Sequence, residues 1–118
     1  MKAAMSPYDR NNVFARILRG EAPCRRRYED EFVLAFDDIN PKAPVHVLII
    51  PKGEYVSIAD FTANAPADMI VGFWKAVVKL ARELGIESGF RVVSNHGRDG
   101  GQVVFHFHVH LVGGRARV

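Results

Sequence analysis

Residues 103–112 read VVFHFHVHLV, with a histidine at every second position from His106 to His110. Side chains along an extended strand alternate between its two faces. Val103, Phe105, Phe107, Val109 and Leu111 therefore share an apolar face, and Val104, His106, His108, His110 and Val112 share the other. One side belongs in a core and the other carries a row of imidazoles. Neighbouring histidines stand about 6.6 Å apart and the outer two about 13 Å, from a rise of ~3.3 Å per residue. A single ion with bonds of about 2.0–2.1 Å cannot be reached by His106 and His110 together. A neighbouring pair needs a third ligand, and His46 on another strand is the candidate. A second reading is structural histidines that fill polar gaps. The third is chemistry on a phosphate: a neutral imidazole is a good nucleophile, and its flanking imidazoles can donate to phosphate oxygens. The glycine-rich RDGGQ at 98–102 runs directly into the row, and its backbone amides can approach an anion closely.

Working outward, FRVVSN at 90–95 reads as a strand, and the intervening HGRDGGQ predicts an antiparallel hairpin with the histidine strand, 103–112. VHVLIIP at 45–51 is β-branched and closed by Pro51, and FVLAF at 32–36 is a short apolar run, so both predict strands. The DINPKAP between them carries two prolines and is a loop. RRRYED at 25–30 is a candidate edge strand. Residues 66–84 predict a long helix with Ile70, Phe73, Trp74, Val77, Leu80 and Leu84 on one stripe, an early Pro66 and Asp68, and Gly85 at its end. Gly72 inside it weakens the helix by about 1 kcal/mol relative to alanine, which suggests close packing there. Residues 11–20 predict a short helix capped by an asparagine and stopped by Gly20. The order is α+β, with a mainly antiparallel sheet and helices on one face.

The chain has 118 residues, a net charge of +3 and a single cysteine, Cys24. One domain over 1–118 is expected, with 1–9 as a flexible tail. No intrachain disulfide is possible, which fits a reducing compartment, and the expected location is the cytoplasm. No apolar run approaches the ~20 residues of a membrane helix, and MKAAMSPYDR lacks the apolar stretch of a secretory signal. No membrane partner is expected. The arginines at 25–27 read as a solvated strand edge, so nucleic acid is not the expected partner.

HFHVHLV resembles the motif of the histidine triad (HIT) family. FDDINPKAPVHVLIIPK at 36–52 and RVVSNHGRDGGQVVFHFHVHLVGGR at 91–115 are similar to that family's aspartate–loop–strand segment and final hairpin. The resemblance runs from about Asn12 to Arg115 and is closest to the branch of histidine triad nucleotide-binding proteins. It implies a five-stranded HIT-like fold and a homodimer with a sheet continuous across both subunits. It implies a purine nucleoside monophosphate site, and hydrolysis of nucleoside 5′-phosphoramidates or related nucleotidyl conjugates without a cofactor or metal. His108 matches the nucleophile, His110 the histidine that contacts the phosphate, and His106 and His46 the supporting pair. Asp38 matches the ribose-binding carboxylate. Val13, Phe14, Ile17, Phe36 and Ile39 match the base slot, and Asn95, Gly101 and Gln102 the phosphate and ribose end.

Three departures stand out. Val103 occupies the place of a hydroxyl residue and cannot hydrogen-bond a leaving group, which predicts slower hydrolysis than a serine version. The chain stops at Val118, without the aromatic, proline-bearing tail of the resembling proteins. Asn12 and Ala15 stand where some relatives carry two zinc-binding cysteines, so that metal site is expected to be missing.

Overall fold

The computed structural model describes residues 7–114. Strands β1 (Arg26–Glu29), β2 (Val33–Asp37), β3 (Val45–Pro51), β4 (Phe90–Val93) and β5 (Val109–Gly113) form one sheet in the order β1-β2-β3-β5-β4. Every neighbouring pair is antiparallel. Helices α1 (Val13–Leu18), α2 (Ile58–Asn64) and α3 (Ala67–Glu83) complete the fold. This is the five-stranded α+β architecture expected, with β1 as the edge strand.

Registry decides which residues meet. Ala35 pairs with Ile49, and Val47 with Leu111, so one face of the sheet carries Val33, Ala35, Val47, Ile49, Val109 and Leu111. That face packs on Phe73, Val77, Leu80 and Ala81 of α3 and on Phe61 of α2. Leu34 pairs with Ile50, and Phe36 with Leu48, so the opposite face carries these four together with His46 and His110. It packs on Phe14, Ile17 and Leu18 of α1. The helices thus lie on both faces, not one: the apolar side chains of α1 meet Leu34, Phe36, Leu48 and Ile50 and form a second core on the histidine face.

Local chemistry explains the helix ends. Asn12 Oδ1 accepts from the Ala15 amide at 2.9 Å and caps α1. Ser57 caps α2 in the same way, its side chain accepting from the Asp60 amide. α3 ends at Gly85, whose φ of +77° favours glycine. A Cβ at Gly72 would overlap the ring of Phe32, the close approach that keeps glycine in this helix.

Two elements differ from expectation. Helix α2 has no counterpart in the sequence reading, because only Ile58 and Phe61 of its seven residues are large and apolar. The histidine strand is shorter than 103–112, and the loop between β4 and β5 spans 94–108 with a 3₁₀ turn at Arg98–Gly100. The ladder stops beyond the Ile49–Val109 pair, and two residues further on β3 offers Pro51, which has no amide proton to give the chain opposite. On the other side the Ser94 hydroxyl donates to the His108 carbonyl at 3.1 Å, replacing a ladder bond. Phe107 still points into the α3-side core, and its amide donates to the Tyr55 carbonyl. The alternation read in the sequence therefore persists past the end of the regular strand. Of the expected tail, residues 1–6 lie outside the described residues; from Tyr8 onward the chain makes defined contacts.

Candidate active site

Three segments bring the titratable groups together. The loop after β2 supplies Asp38, β3 supplies His46, the chain entering β5 supplies His106 and His108, and β5 itself supplies His110. The α1 ring of Phe14 stands edge-on to His108 at 5.0 Å and to His106 at 6.3 Å. Phe36 lies edge-on to Phe14 at 5.5 Å. Phe14 and Phe36 are buried and form the floor beneath the histidines, and Ile17 packs beside them. Val13, Ile39 (91% exposed) and Val103 (85% exposed) are apolar side chains left at the surface.

Main-chain groups fix where each imidazole keeps its proton, because a carbonyl only accepts and an amide N–H only donates. His106 Nε2–H donates to the Pro51 carbonyl at 3.0 Å. His108 Nδ1–H donates to the His106 carbonyl at 2.7 Å, which leaves a lone pair on His108 Nε2. The Lys42 amide donates to His46 Nδ1 at 3.0 Å, so the His46 proton sits on Nε2. From there it donates to His110 Nδ1 at 2.9 Å, with Asp38 Oδ2 at 3.3 Å. His110 accordingly carries its own proton on Nε2. The arrangement presents a lone pair from His108 and an N–H from His110, with ring centroids 5.3 Å apart.

His108 is 7% exposed. Its Nε2 has no hydrogen-bond partner among the described residues, yet no buried side-chain nitrogen or oxygen there lacks one. The small opening onto the ring therefore includes Nε2, and half-buried His110 lies beside it.

Burial lowers the pKa of all three triad histidines. His106 falls to about 4, chiefly from desolvation, against the favourable Pro51 carbonyl. His108 is lowered by desolvation, with its bond to the His106 carbonyl and the charge of Asp38 opposing. His110 is lowered by desolvation and then by His108 and His46. All three are neutral near pH 7, so the row does not stack three cations. The unfolded chain protonates His106 near pH 6.5 and the folded one only near 4. This contribution to stability is full above about pH 6.5 and is lost as pH falls toward 4, by at most ~3 kcal/mol. Urea unfolding at pH 7 and 4.5, with the His106 ring signals titrated by NMR, is expected to show that loss and a midpoint near 4.

Asp38, His46 and His110 offer ligand atoms within 4.8 Å of one another, a spacing compatible with a metal ion. The His46 bonding opposes it. A ligating imidazole donates its second nitrogen's proton outward, but His46 Nδ1 faces the Lys42 amide and must accept. With Nδ1 filled, Nε2 keeps its proton and has no lone pair for an ion. Asn12, one of the two positions expected to have lost a zinc-binding cysteine, caps α1 with its side chain.

The other expected site residues divide. Asp38 Oδ1 accepts from the Asn40 amide at 2.8 Å, so this carboxylate shapes its own turn as well as facing His46. Asn95 is half-buried and Gly101 exposed on the 94–108 loop. Gln102 departs from the expectation of a ligand contact. It is buried, its Nε2 donates to the carbonyls of Val56 and Val104, and its Oε1 accepts from the Gly97 amide. With both amide protons used inside the loop, it braces the approach to the triad. Sequence reasoning missed Tyr8, whose hydroxyl meets His106 across 98 residues of chain, and the three main-chain partners of the imidazoles, which no residue type announces.

Comparison with known proteins places this geometry. The HIT domain pattern matches residues 19–117. An uncharacterised HIT-like protein of Azospirillum brasilense is 54% identical over 109 residues, covering 92% of this chain and 89% of that protein. A 14 kDa zinc-binding protein of maize is 46% identical over 108 residues, covering 91% and 84%. Among solved structures, a HIT family hydrolase from Clostridium thermocellum superposes with a TM-score of 0.81 at 45% identity, covering 92% and 94%. A histidine triad nucleotide-binding protein from Candida albicans superposes with a TM-score of 0.80 at 32% identity, covering 90% and 76%. The alternating histidines, the sheet that carries them and these similarities agree: the chain belongs to the HIT-domain family.

Proposed function

We propose that the protein hydrolyses nucleoside 5′-phosphoramidates or related purine nucleotidyl conjugates through a covalent intermediate on His108. The observation that carries this reading is the bond from His108 Nδ1–H to the His106 carbonyl, which leaves Nε2 unprotonated at the opening. In the first step Nε2 attacks phosphorus, the phosphorus–nitrogen bond to the amine breaks, and the amine departs on taking up a proton from solvent, which the attacking water of the second step gives back. The His108 ring becomes cationic as it bonds. Its charge-assisted bond to the His106 carbonyl then strengthens, and the Asp38 charge favours the same form. The His110 Nε2–H is the donor for a phosphate oxygen. Water then attacks phosphorus, the bond to His108 breaks, and a nucleoside monophosphate leaves.

Asp38 is assigned to the ribose hydroxyls, since each of its oxygens keeps a second lone pair beyond its present contact. Exposed Val13 and Ile39 are assigned to the base, over the floor made by Phe14, Ile17 and Phe36. Asn95 and Gly101 are assigned to the phosphate end, and Val103 to the leaving-group side. No step calls for a metal or cofactor. A homodimer belongs to the same reading. Val71, Trp74 and Val78 of α3 remain exposed, and β4 is an edge strand free to extend the sheet into a second subunit. Phe73 of the same helix is buried in the core and takes no part in that surface.

The test is chemical trapping. Incubation with a purine nucleoside phosphoramidate and rapid quenching at alkaline pH, where a phosphorus–nitrogen bond to histidine survives, is expected to leave a nucleoside monophosphate adduct on His108, located by peptide mass spectrometry. Turnover without an adduct, or an adduct elsewhere, would remove His108 as nucleophile.

A further inference from the structure

Tyr8 lies ahead of α1 in a stretch that sequence reasoning leaves as tail, yet it is half-buried against the first triad histidine. Its phenol oxygen is 2.6 Å from His106 Nδ1, and the two rings meet edge-on with centroids 5.6 Å apart. Since His106 Nε2 donates to Pro51, Nδ1 holds the lone pair and the Tyr8 O–H is the donor. Burial holds the Tyr8 pKa above its ordinary value, so the donor persists throughout the neutral range. The segment around it is fastened. The Asp9 carbonyl accepts from Asn12 Nδ2 at 2.7 Å, Arg10 pairs with Glu54 at 2.9 Å, and the Arg10 carbonyl accepts from Arg19 Nη1 at 2.8 Å.

His106 itself is inaccessible to a ligand, being fully buried with both ring nitrogens taken. What it offers the site is its carbonyl, the acceptor for His108 Nδ1–H. A ring held at both nitrogens has one orientation, and through its Cα it restrains the peptide group that follows. We infer that Tyr8 is a positioning residue for the His108 reaction: by pinning His106 it holds the carbonyl that keeps the proton of His108 on Nδ1 and its lone pair on Nε2. The inference rests on His108 as the nucleophile.

Phenylalanine at this position keeps the ring and removes only the donor. His106 Nδ1 is then an unsatisfied acceptor in a buried place, a defect that the ring relieves by turning or by admitting water. In Tyr8→Phe the ring ¹⁵N signals of His108, a pure Nδ1–H form in the unmodified protein, are expected to shift toward a mixture of both tautomers. For hydrolysis of a purine nucleoside phosphoramidate, kcat is expected to fall about 10-fold with KM within about twofold. Introduced on a His106→Asn background, the same change is expected to lower kcat no further, because its route of action is already gone. Unchanged His108 ring signals in Tyr8→Phe, an effect on KM alone, or an undiminished loss on the His106→Asn background would each overturn the inference. If the unmodified protein hydrolyses no phosphoramidate, the reading of His108 as nucleophile falls, while the tautomer measurement still decides whether Tyr8 sets the state of that ring.

Discussion

His108→Ala is expected to lower phosphoramidate turnover by about 10⁴-fold or more, the loss that follows removal of a nucleophile rather than of a supporting contact. Affinity for a purine nucleoside monophosphate should change by less than about 10-fold, because base and ribose contacts are assigned to Val13, Ile39 and Asp38. Steady-state kinetics and titration calorimetry on the same preparation read the two quantities. A variant that keeps a tenth of the activity would show that another group performs the attack. In that event the protein becomes a nucleotide binder with incidental hydrolysis, a reading that Val103 favours because it offers no hydrogen bond to a leaving amine. His108 sits beyond the last ladder pair of β5, and its ring meets Phe14 and His110 edge-on, so circular dichroism of the variant checks that the fold is kept.

Phe61→Ala is expected to produce the largest loss of stability, about 3–5 kcal/mol. Phe61 is fully buried and meets three aromatic rings. It stacks on Phe107 at 4.7 Å and meets Phe73 at 5.1 Å and Tyr55 at 5.3 Å. Truncation leaves a cavity that none of these rigid rings can close. In a domain stable by roughly 5–15 kcal/mol, such a loss lowers Tm on the order of 15 °C. Thermal and urea unfolding measure it, and a change below about 1 kcal/mol would show that α2 is not part of the core. Phe107 lies between His106 and His108, so the ring that Phe61 holds is also the anchor of the reactive segment where the sheet no longer holds it.

The sequence made the sheet legible where burial and chain period agree. Val45–Pro51 is a strand as read, and α3 runs from Ala67 to Glu83 within the expected span because its stripe is long and its ends carry Pro66 and Gly85. Gly72 was legible as a close approach, though its partner Phe32 was not. Helix α2 escaped because a single buried ring in a polar heptamer leaves no period; the capping pair Ser57 and Asp60 was the signal available. The histidine strand was read too long because side-chain alternation survives where pairing fails. Within the site, the residue types foretold a histidine cluster with His46 joining it from another strand, and the family resemblance supplied Asp38. The direction of each hydrogen bond was not legible, since it depends on which carbonyl or amide the fold brings to each ring.

Three of the four imidazoles take their polarity from the peptide backbone: His46 from Lys42, His106 from Pro51 and His108 from His106. Their orientation is consequently indifferent to which side chains occupy positions 42 and 51, provided the main chain keeps its path. Mutational drift can rewrite position 42 freely, whereas Pro51 also ends the ladder with β5. An inserted or deleted residue between Asp38 and His46 is another matter, for it would displace the Lys42 amide from His46 Nδ1 and free the proton order of the His46–His110 pair. Loop length, more than loop composition, is what heredity must conserve here.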